Sequence, residues 1–170
     1  HWGGYPCDIS EIKEIARVSG IKIIEDAAHS LGSIYQDQYI GSHTDFACFS
    51  FQAIKHIHTG DGGLLTSKSM VDHARARSLK WFGIDRERRQ INAYGIAEWD
   101  VMEPGYKFHM NDIAATIGLA QLPFLKKIIQ ARRDNAKLFR EAFKNLKRLK
   151  LLKEKPDRNS AYWLFTVLVD

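Results

Sequence analysis

The chain has 170 residues, of which 45% are hydrophobic and 26% are charged, and its formal net charge is +5. These values are typical of a soluble globular domain with its own hydrophobic core, or of a portion of a larger protein. No apolar run approaches the eighteen or so residues of a membrane span, and no basic-then-apolar secretion signal opens the chain, so we expect no contact with a membrane.

The first part of the chain alternates helical and strand-like segments. In chain order, the sequence predicts a helix over 9–19, a buried strand over 21–25, a small hairpin over 35–42, a buried strand over 45–51 and a strand over 63–67. Asp8 is a candidate cap for the first helix and Gly20 its stop, with Ile12, Ile15 and Ala16 on one face.

The second part of the chain is richer in helix. The predicted elements are a helix over 68–80, an irregular loop over 84–104, a helix over 110–122, a long helix from 123 to about 149, a linker over 153–161 and a strand over 162–169. Asn111 is a candidate N-cap, and Pro123 can begin the long helix. Strands that alternate with helices indicate an α/β layered sheet. The last strand has no later partner, so we expect it to pair with something outside this chain.

The cysteine spacing argues against a cysteine-bound metal site, and the distribution of charge argues against binding of nucleic acid. Cys7 and Cys48 lack metal-ligand spacing, and we expect two reduced thiols, with Cys48 buried, which favours the cytoplasm. Residues 126–158 are strongly basic, but apolar residues recur among them at nearly helical spacing. We therefore interpret the charge as the solvated face of an amphipathic helix and expect no binding of nucleic acid.

Two polar side chains follow predicted strands at positions where ligands collect. Asp26 lies just beyond the carboxyl end of the first strand, and Lys55 lies beyond the strand over 45–51. In α/β sheets these ends face a common crevice. A partly desolvated lysine has a lowered pKa, so its neutral amine can act as a nucleophile and form a Schiff base with an aldehyde.

Pyridoxal 5'-phosphate is the commonest such aldehyde, and its other requirements have candidates nearby. A carboxylate keeps its ring nitrogen protonated, which is a suitable role for Asp26. Ser50 is a candidate for the phosphate, and His29 for stacking on the ring or bonding to its hydroxyl. Other interpretations remain: a solvated Lys55, Asp26 as the N-cap of 27–31, and Ser50 as a core hydroxyl. We expect no metal site at His56 and His58, because no third ligand follows at a suitable spacing.

Four blocks of the sequence, in this order, resemble the DegT/DnrJ/EryC1/StrS family of sugar aminotransferases. They are HWGGYP, IIEDAAHSLGS, SFQAIKHIHTGDGG and PGYKFHMNDIAATIGLAQL. The resemblance implies a pyridoxal-phosphate enzyme of fold type I, aspartate aminotransferase-like, with a three-layer α/β/α large domain. It also implies transfer of an amino group from an amino acid, most simply glutamate, to a nucleotide-linked keto sugar. Residues 1–122 would belong to the large domain, 123–150 to a connecting helix, and 151–170 to a linker and the first strand of a small domain.

The same resemblance assigns roles to individual residues. Lys55 would be the catalytic lysine that holds the cofactor, Asp26 the partner of the ring nitrogen, Ser50 a phosphate ligand, and His29 a residue against the cofactor. Lys107 stands where the family often has an asparagine that reaches the neighbouring subunit's phosphate in a homodimer with a shared active site, and His109 stands where many relatives have arginine.

The resemblance also leaves parts of such an enzyme outside this chain. The sequence does not begin with methionine, and the family's N-terminal phosphate turn and most of its small domain have no counterpart here, so we expect the middle of a longer enzyme. The 170-residue segment alone can then be inactive. Two alternatives stay open: a pyridoxal-phosphate-dependent sugar dehydratase, against which Lys55 weighs because such relatives carry histidine there, and a non-catalytic protein of the same fold.

Overall fold

The computed structural model describes residues 1–170 and shows a mixed α/β chain. The helices are α1 (Ile9–Ser19), α2 (Met70–Leu79), α3 (Asp112–Gln121) and α4 (Leu125–Phe143). The strands are β1 (Ile24–Asp26), β2 (Ile34–Tyr35), β3 (Gln38–Tyr39), β4 (Phe46–Ser50), β5 (Gly63–Ser67), β6 (Gln90–Ile91), β7 (Ala97–Glu98), β8 (Leu149–Leu151), β9 (Arg158–Asn159) and β10 (Val167–Val169). None of the helices combines the length and the apolar character that crossing a bilayer demands.

The principal sheet has the strand order β1-β4-β5. Strands β1 and β4 run parallel, with Asp26 opposite Cys48, whereas β5 runs antiparallel to β4, with Gly63 opposite Ser50. The core beneath this sheet consists of six buried residues, Ile9, Ala27, Tyr35, Ile40, Ala47 and Phe49. The parallel pair sends the chain after β1 and the chain after β4 toward the same edge of the sheet.

The expectation of fully buried strands is wrong for β1 and β4. Strand β1 covers only Ile24–Asp26, and Ile24 is 67% exposed. Along β4, Ala47 and Phe49 point into the core while Cys48 points to the opposite face and is exposed, so the predicted burial of Cys48 is also wrong. Side chains alternate between the two faces of a strand, and only one face of this sheet is covered within residues 1–170.

Helix termini follow the predictions more closely than helix faces do. Helix α1 has the predicted bounds, and Gly20, at φ 64°, donates its N–H to the carbonyls of the last turn. The side chain of Asn111 accepts the N–H of Ala114 at 2.9 Å, as expected of an N-cap. Asp8 occupies the N-cap position of α1 without capping it, since its carboxylate binds Lys155 and Arg158 instead. Ile15, which the helical spacing places on the apolar face, is exposed.

Three predictions for the second part of the chain are wrong. Helix α4 ends at Phe143 rather than near 149, because the chain then turns to form β8. Strand β10 pairs antiparallel with β8, so the last strand does have a partner within the chain. The segment 84–104, expected to be irregular, contains the hairpin of β6 and β7. The small hairpin of β2 and β3 is present and begins at Ile34, one residue before the predicted range.

A stability prediction follows from the close approach of the backbone at Gly4. Gly4 is buried at φ +96°, and a Cβ atom placed there would lie 2.9 Å from the carbonyl oxygen of His29 and 3.0 Å from the backbone nitrogen of Tyr162. Gly4→Ala adds left-handed strain and backbone overlap, so we expect the free energy of unfolding to fall by about 3 kcal/mol. Urea denaturation of the complete protein measures this change.

Gly20 provides the matched control for that substitution. Its φ is +64°, but no neighbouring atom lies within 4 Å of the position that a Cβ atom would take, so Gly20→Ala incurs the left-handed strain alone, about 1 kcal/mol. Equal destabilisation by the two substitutions would contradict the proposed role of the close contact.

Candidate functional site

The sheet places Asp26 and the loop that carries Lys55 at one edge. Strand pairing continues past β1, where the N–H of Ala27 binds the carbonyl of Cys48 at 2.9 Å. Beyond β4, the chain forms a closed loop in which Phe51 N–H binds Gly62 O at 2.8 Å and Thr59 N–H binds Phe51 O at 2.9 Å. These bonds fix the loop at its base, so its side chains are presented at the carboxyl ends of β1 and β4, as the sequence predicts.

Lys55 carries an amine without an anionic partner. The side chain is half-buried, and no hydrogen bond or salt bridge engages its Nζ. The contact of Nζ is with the indole ring of Trp163, whose centroid lies 4.2 Å away. Burial lowers the pKa of the Lys55 ammonium, and the negative charge of Asp26 acts in the opposite direction. The interpretation of Lys55 as a solvated loop charge does not fit this environment.

Asp26 is exposed and only lightly engaged. Its Oδ1 accepts the N–H of Ala28 at 3.1 Å, and residues 27–31 form turns rather than a helix, so Asp26 is not the N-cap of a helix there. The field of its carboxylate raises the pKa of both Lys55 and Cys48. The carboxylate therefore acts on the amine at the same edge of the sheet.

His29 lies in an aromatic cluster. Its ring stacks on Trp163 with centroids 3.9 Å apart, and the ring of Trp2 meets it edge-on at 5.3 Å. Nδ1 accepts the N–H of Gly3 at 3.3 Å, so this nitrogen is unprotonated. Burial lowers the pKa of His29, and the charge of Lys55 lowers it further. The structure thus holds a neutral imidazole beside the amine.

Ser50 ends β4 at the same edge. Its Oγ accepts the N–H of Gln52 at 3.3 Å, and its hydroxyl hydrogen has no acceptor among residues 1–170. The side chain is half-buried. A hydroxyl with an unused donor next to the lysine loop is able to bind an anion.

Lys107 and His109 lie apart from this cluster. Lys107 bridges to Trp81 through the backbone, its side chain is exposed, and no hydrogen bond or ion pair joins it to Lys55, Asp26, His29 or Ser50. His109 meets the ring of Trp81 at a centroid distance of 3.8 Å, and its buried Nδ1 has no hydrogen-bond partner. The structure therefore places four of the five predicted site residues at one edge of the sheet, and Lys107 makes no hydrogen bond or ion pair with them.

The sequence analysis missed a segment that completes the site, the strap formed by residues 160–165. The sequence predicts linker and strand here, but only Val167–Val169 is strand. His56, whose Nε2 lies 2.9 Å from the carbonyl oxygen of Ala161, is buried against this strap. Burial lowers the pKa of His56, which therefore has a structural role here. The richness of the strap in aromatic residues was the one local signal of its function.

The chain is similar in sequence and in fold to known proteins. A relative in Methanocaldococcus jannaschii, the uncharacterized protein MJ1066, is 36% identical over 171 residues, which is all of this chain and 44% of that protein. The structure of AtS13 from Actinomadura melliaura matches with a TM-score of 0.91 at 36% identity, covering 100% of this chain and 46% of that one. The sugar aminotransferase CalS13 from Micromonospora echinospora matches with a TM-score of 0.90 at 27% identity, covering 100% and 47%.

These matches show how much of its relatives' length the chain spans and to which family it belongs. It spans less than half the length of the relatives to which it is similar. A family model matches it over residues 1–170, and aminotransferases of that family use pyridoxal 5'-phosphate. The chain belongs to the DegT/DnrJ/EryC1/StrS aminotransferase family.

Proposed function

We propose that the complete protein is a pyridoxal-phosphate-dependent aminotransferase that moves an amino group from an amino acid, most simply glutamate, to a nucleotide-linked keto sugar. The observation that carries the proposal is the half-buried Lys55 amine, which has no anionic partner and lies at the same sheet edge as the Asp26 carboxylate. Membership of the family supports the same reaction, and the similarity to the sugar aminotransferase CalS13 supports a sugar acceptor.

The residues present fit pyridoxal phosphate. Lys55 offers an amine for its aldehyde, Asp26 a carboxylate for its ring nitrogen, His29 a neutral ring for its face, and Ser50 a free hydroxyl hydrogen for its phosphate. When bound, the cofactor supplies an electron sink that stabilises negative charge on the donor's α-carbon. The donor set is that of a cofactor with one aldehyde, one basic ring nitrogen and one phosphate.

Each side chain has a task that follows from its surroundings. The lowered pKa of Lys55 increases the neutral fraction of the amine, which can then bond to carbon or, once freed, take the proton from the donor's α-carbon at Nζ. The exposed Asp26 offers a carboxylate that can stabilise a positive charge placed opposite it. His29, uncharged and fixed through Nδ1, presents a flat surface without adding a competing cation.

The proposal extends to the assembly of the complete enzyme. We infer the fold type I architecture, with residues 1–122 in the large domain, 123–150 connecting, and 151–170 entering the small domain. We further infer a homodimer in which Lys107 serves the neighbouring subunit's phosphate site. This assignment explains why the exposed Lys107 makes no bond to the Lys55 cluster of its own chain.

A product assay with the complete protein tests the function. We expect added pyridoxal phosphate to give the visible absorbance band of the lysine-bound cofactor, and glutamate to bleach that band with release of one equivalent of 2-oxoglutarate. Subsequent addition of a nucleotide-linked keto sugar then yields the amino sugar by mass spectrometry. A deoxygenated product without 2-oxoglutarate would favour the dehydratase, and absence of the band would argue for a non-catalytic protein.

A further inference from the structure

The strap is fastened to several other segments of the chain. It follows β9, which pairs with β2, and Arg133 of α4 donates Nε–H to the carbonyl of Ser160 at 2.9 Å. The N–H of Ala161 binds Ser33 Oγ at 3.0 Å, and the N–H of Leu164 binds Gly3 O at 3.1 Å. These bonds reach the sheet, the long helix and the glycine turn, so the strap has little freedom to move by itself.

The backbone of the strap is strained at Tyr162, the residue that precedes Trp163. Tyr162 has φ 48°, a left-handed conformation that is unfavourable for a residue with a side chain. Such strain persists only where surrounding bonds impose it, and it concentrates at functional sites. Here it directs the following residue, Trp163, toward the lysine loop.

Trp163 is anchored next to Lys55. Its Nε1–H donates to the carbonyl of Ile54 at 3.0 Å, which ties the indole to the residue preceding the lysine. Lys55 Nζ lies 4.2 Å from the centroid of the same ring, and the imidazole of His29 stacks on that ring with centroids 3.9 Å apart. The six-residue core does not include Trp163, so simple core packing does not account for its position.

We propose that Trp163 is a positioning residue for the Lys55 amine. Its indole face holds Nζ near the reacting carbon while that nitrogen is free, and holds it most strongly as the ammonium that forms once Nζ has taken up a proton. The proposal rests on the proposed function, in which Lys55 is freed each time an amino donor takes its place. A lysine side chain released into solvent samples many rotamers, and cation–π attraction restricts it to the neighbourhood of the reacting carbon. The other titratable groups that act on this position are Asp26, His29 and His56.

Nuclear magnetic resonance of the protein without cofactor tests the contact directly. Protons above an indole face are shifted upfield by the ring current, so the ε-methylene protons of Lys55 are expected upfield of those of the other lysines. The Lys55→Arg variant assigns the signal. We expect Trp163→Ala to remove the shift, Trp163→Phe to retain part of it, and Trp99→Ala, which alters an exposed indole in the β6–β7 region, to leave it unchanged.

The kinetic consequence is measured in single turnovers with the amino donor. We expect Trp163→Ala to slow bleaching of the cofactor band about tenfold and to raise the isotope effect of α-deuterated donor, because proton transfer to a displaced amine becomes the slow step. Pyridoxal phosphate affinity should change less than about threefold. Trp163→Phe should recover most of the rate, and thermal unfolding of each variant verifies its folding.

Two outcomes would overturn the inference. One is an unshifted Lys55 signal in the unsubstituted protein, and the other is a Trp163→Ala variant whose donor half-reaction and isotope effect stay unchanged. Failure of the proposed function would give a different result. The unsubstituted protein would then form no cofactor band, although the upfield Lys55 signal persisted.

Discussion

Replacing Lys55 with alanine is expected to abolish the cofactor absorbance band and to lower the rate of amino transfer by at least about 10³-fold. In the proposed function, the substitution removes both the nucleophile and the base that handles the donor's proton, and the groups nearest to this position are the rings of Trp163 and His29 rather than another amine. Absorbance titration with pyridoxal phosphate and product analysis by mass spectrometry measure the two losses.

Lys55→Arg is the matched control for this experiment. Arginine keeps a positive charge within reach of Trp163 and Asp26 but stays protonated, so it cannot bond to an aldehyde. We expect it to preserve thermal stability and to be as inactive as the alanine variant. Substantial transfer activity in either variant would exclude Lys55 as the catalytic amine.

Replacing Asp26 with asparagine is expected to lower kcat by about 10²–10³-fold, because a fixed negative charge opposite the ring nitrogen is lost. The same substitution is expected to favour the neutral form of the Lys55 amine. Asp26 raises the pKa of Lys55, so its removal lets that pKa fall further below its ordinary value. The neutral amine then predominates at a lower pH, even though catalysis is impaired.

The pH dependence of acylation of Lys55 in the cofactor-free protein measures this second effect. Mass spectrometry of the modified peptide gives the midpoint, which should move to lower pH in Asp26→Asn. Asp37→Asn is the control, since Asp37 lies in the exposed β2–β3 turn, and asparagine tolerates its φ of 61°. An unmoved midpoint, or one displaced upward, would show that the carboxylate does not act on the amine.

The sequence was sufficient to place the acid and the lysine because their positions depend on local rules. Asp26 is the last residue of β1 and Lys55 follows β4, and parallel neighbouring strands deliver their carboxyl ends to one edge. Gly20 and Asn111 were also identified correctly, since helix ends are specified by neighbouring residues. Which of the two faces of β4 is covered could not be predicted, because coverage depends on elements distant in the chain.

The contribution of Trp163 was beyond sequence reasoning for the same reason. Its hydrogen bond reaches Ile54 across 109 residues, and the alternation in YWLFTVLV favours a strand throughout. Ser33 binds Ala161 just before that segment and Gly3 binds Leu164 within it, and these bonds hold its first half in a different conformation. Helix α4 presents a similar conflict, since its apolar periodicity continues past Phe143 while pairing of β8 with β10 ends the helix. Tertiary interactions outweighed local preference in both places.

The route of the strap has a mechanical consequence. The segment leaves β9, is bonded to the lysine loop through Trp163 and, three residues later, enters β10, which pairs with β8. A rotation of the β8–β10 sheet would therefore move the indole ring against which Lys55 Nζ lies. A ligand that drew together the two sheets that the strap connects would bring this ring closer to the nitrogen. Binding of the substrate and the position of Lys55 Nζ would then be coupled through the six residues of the strap.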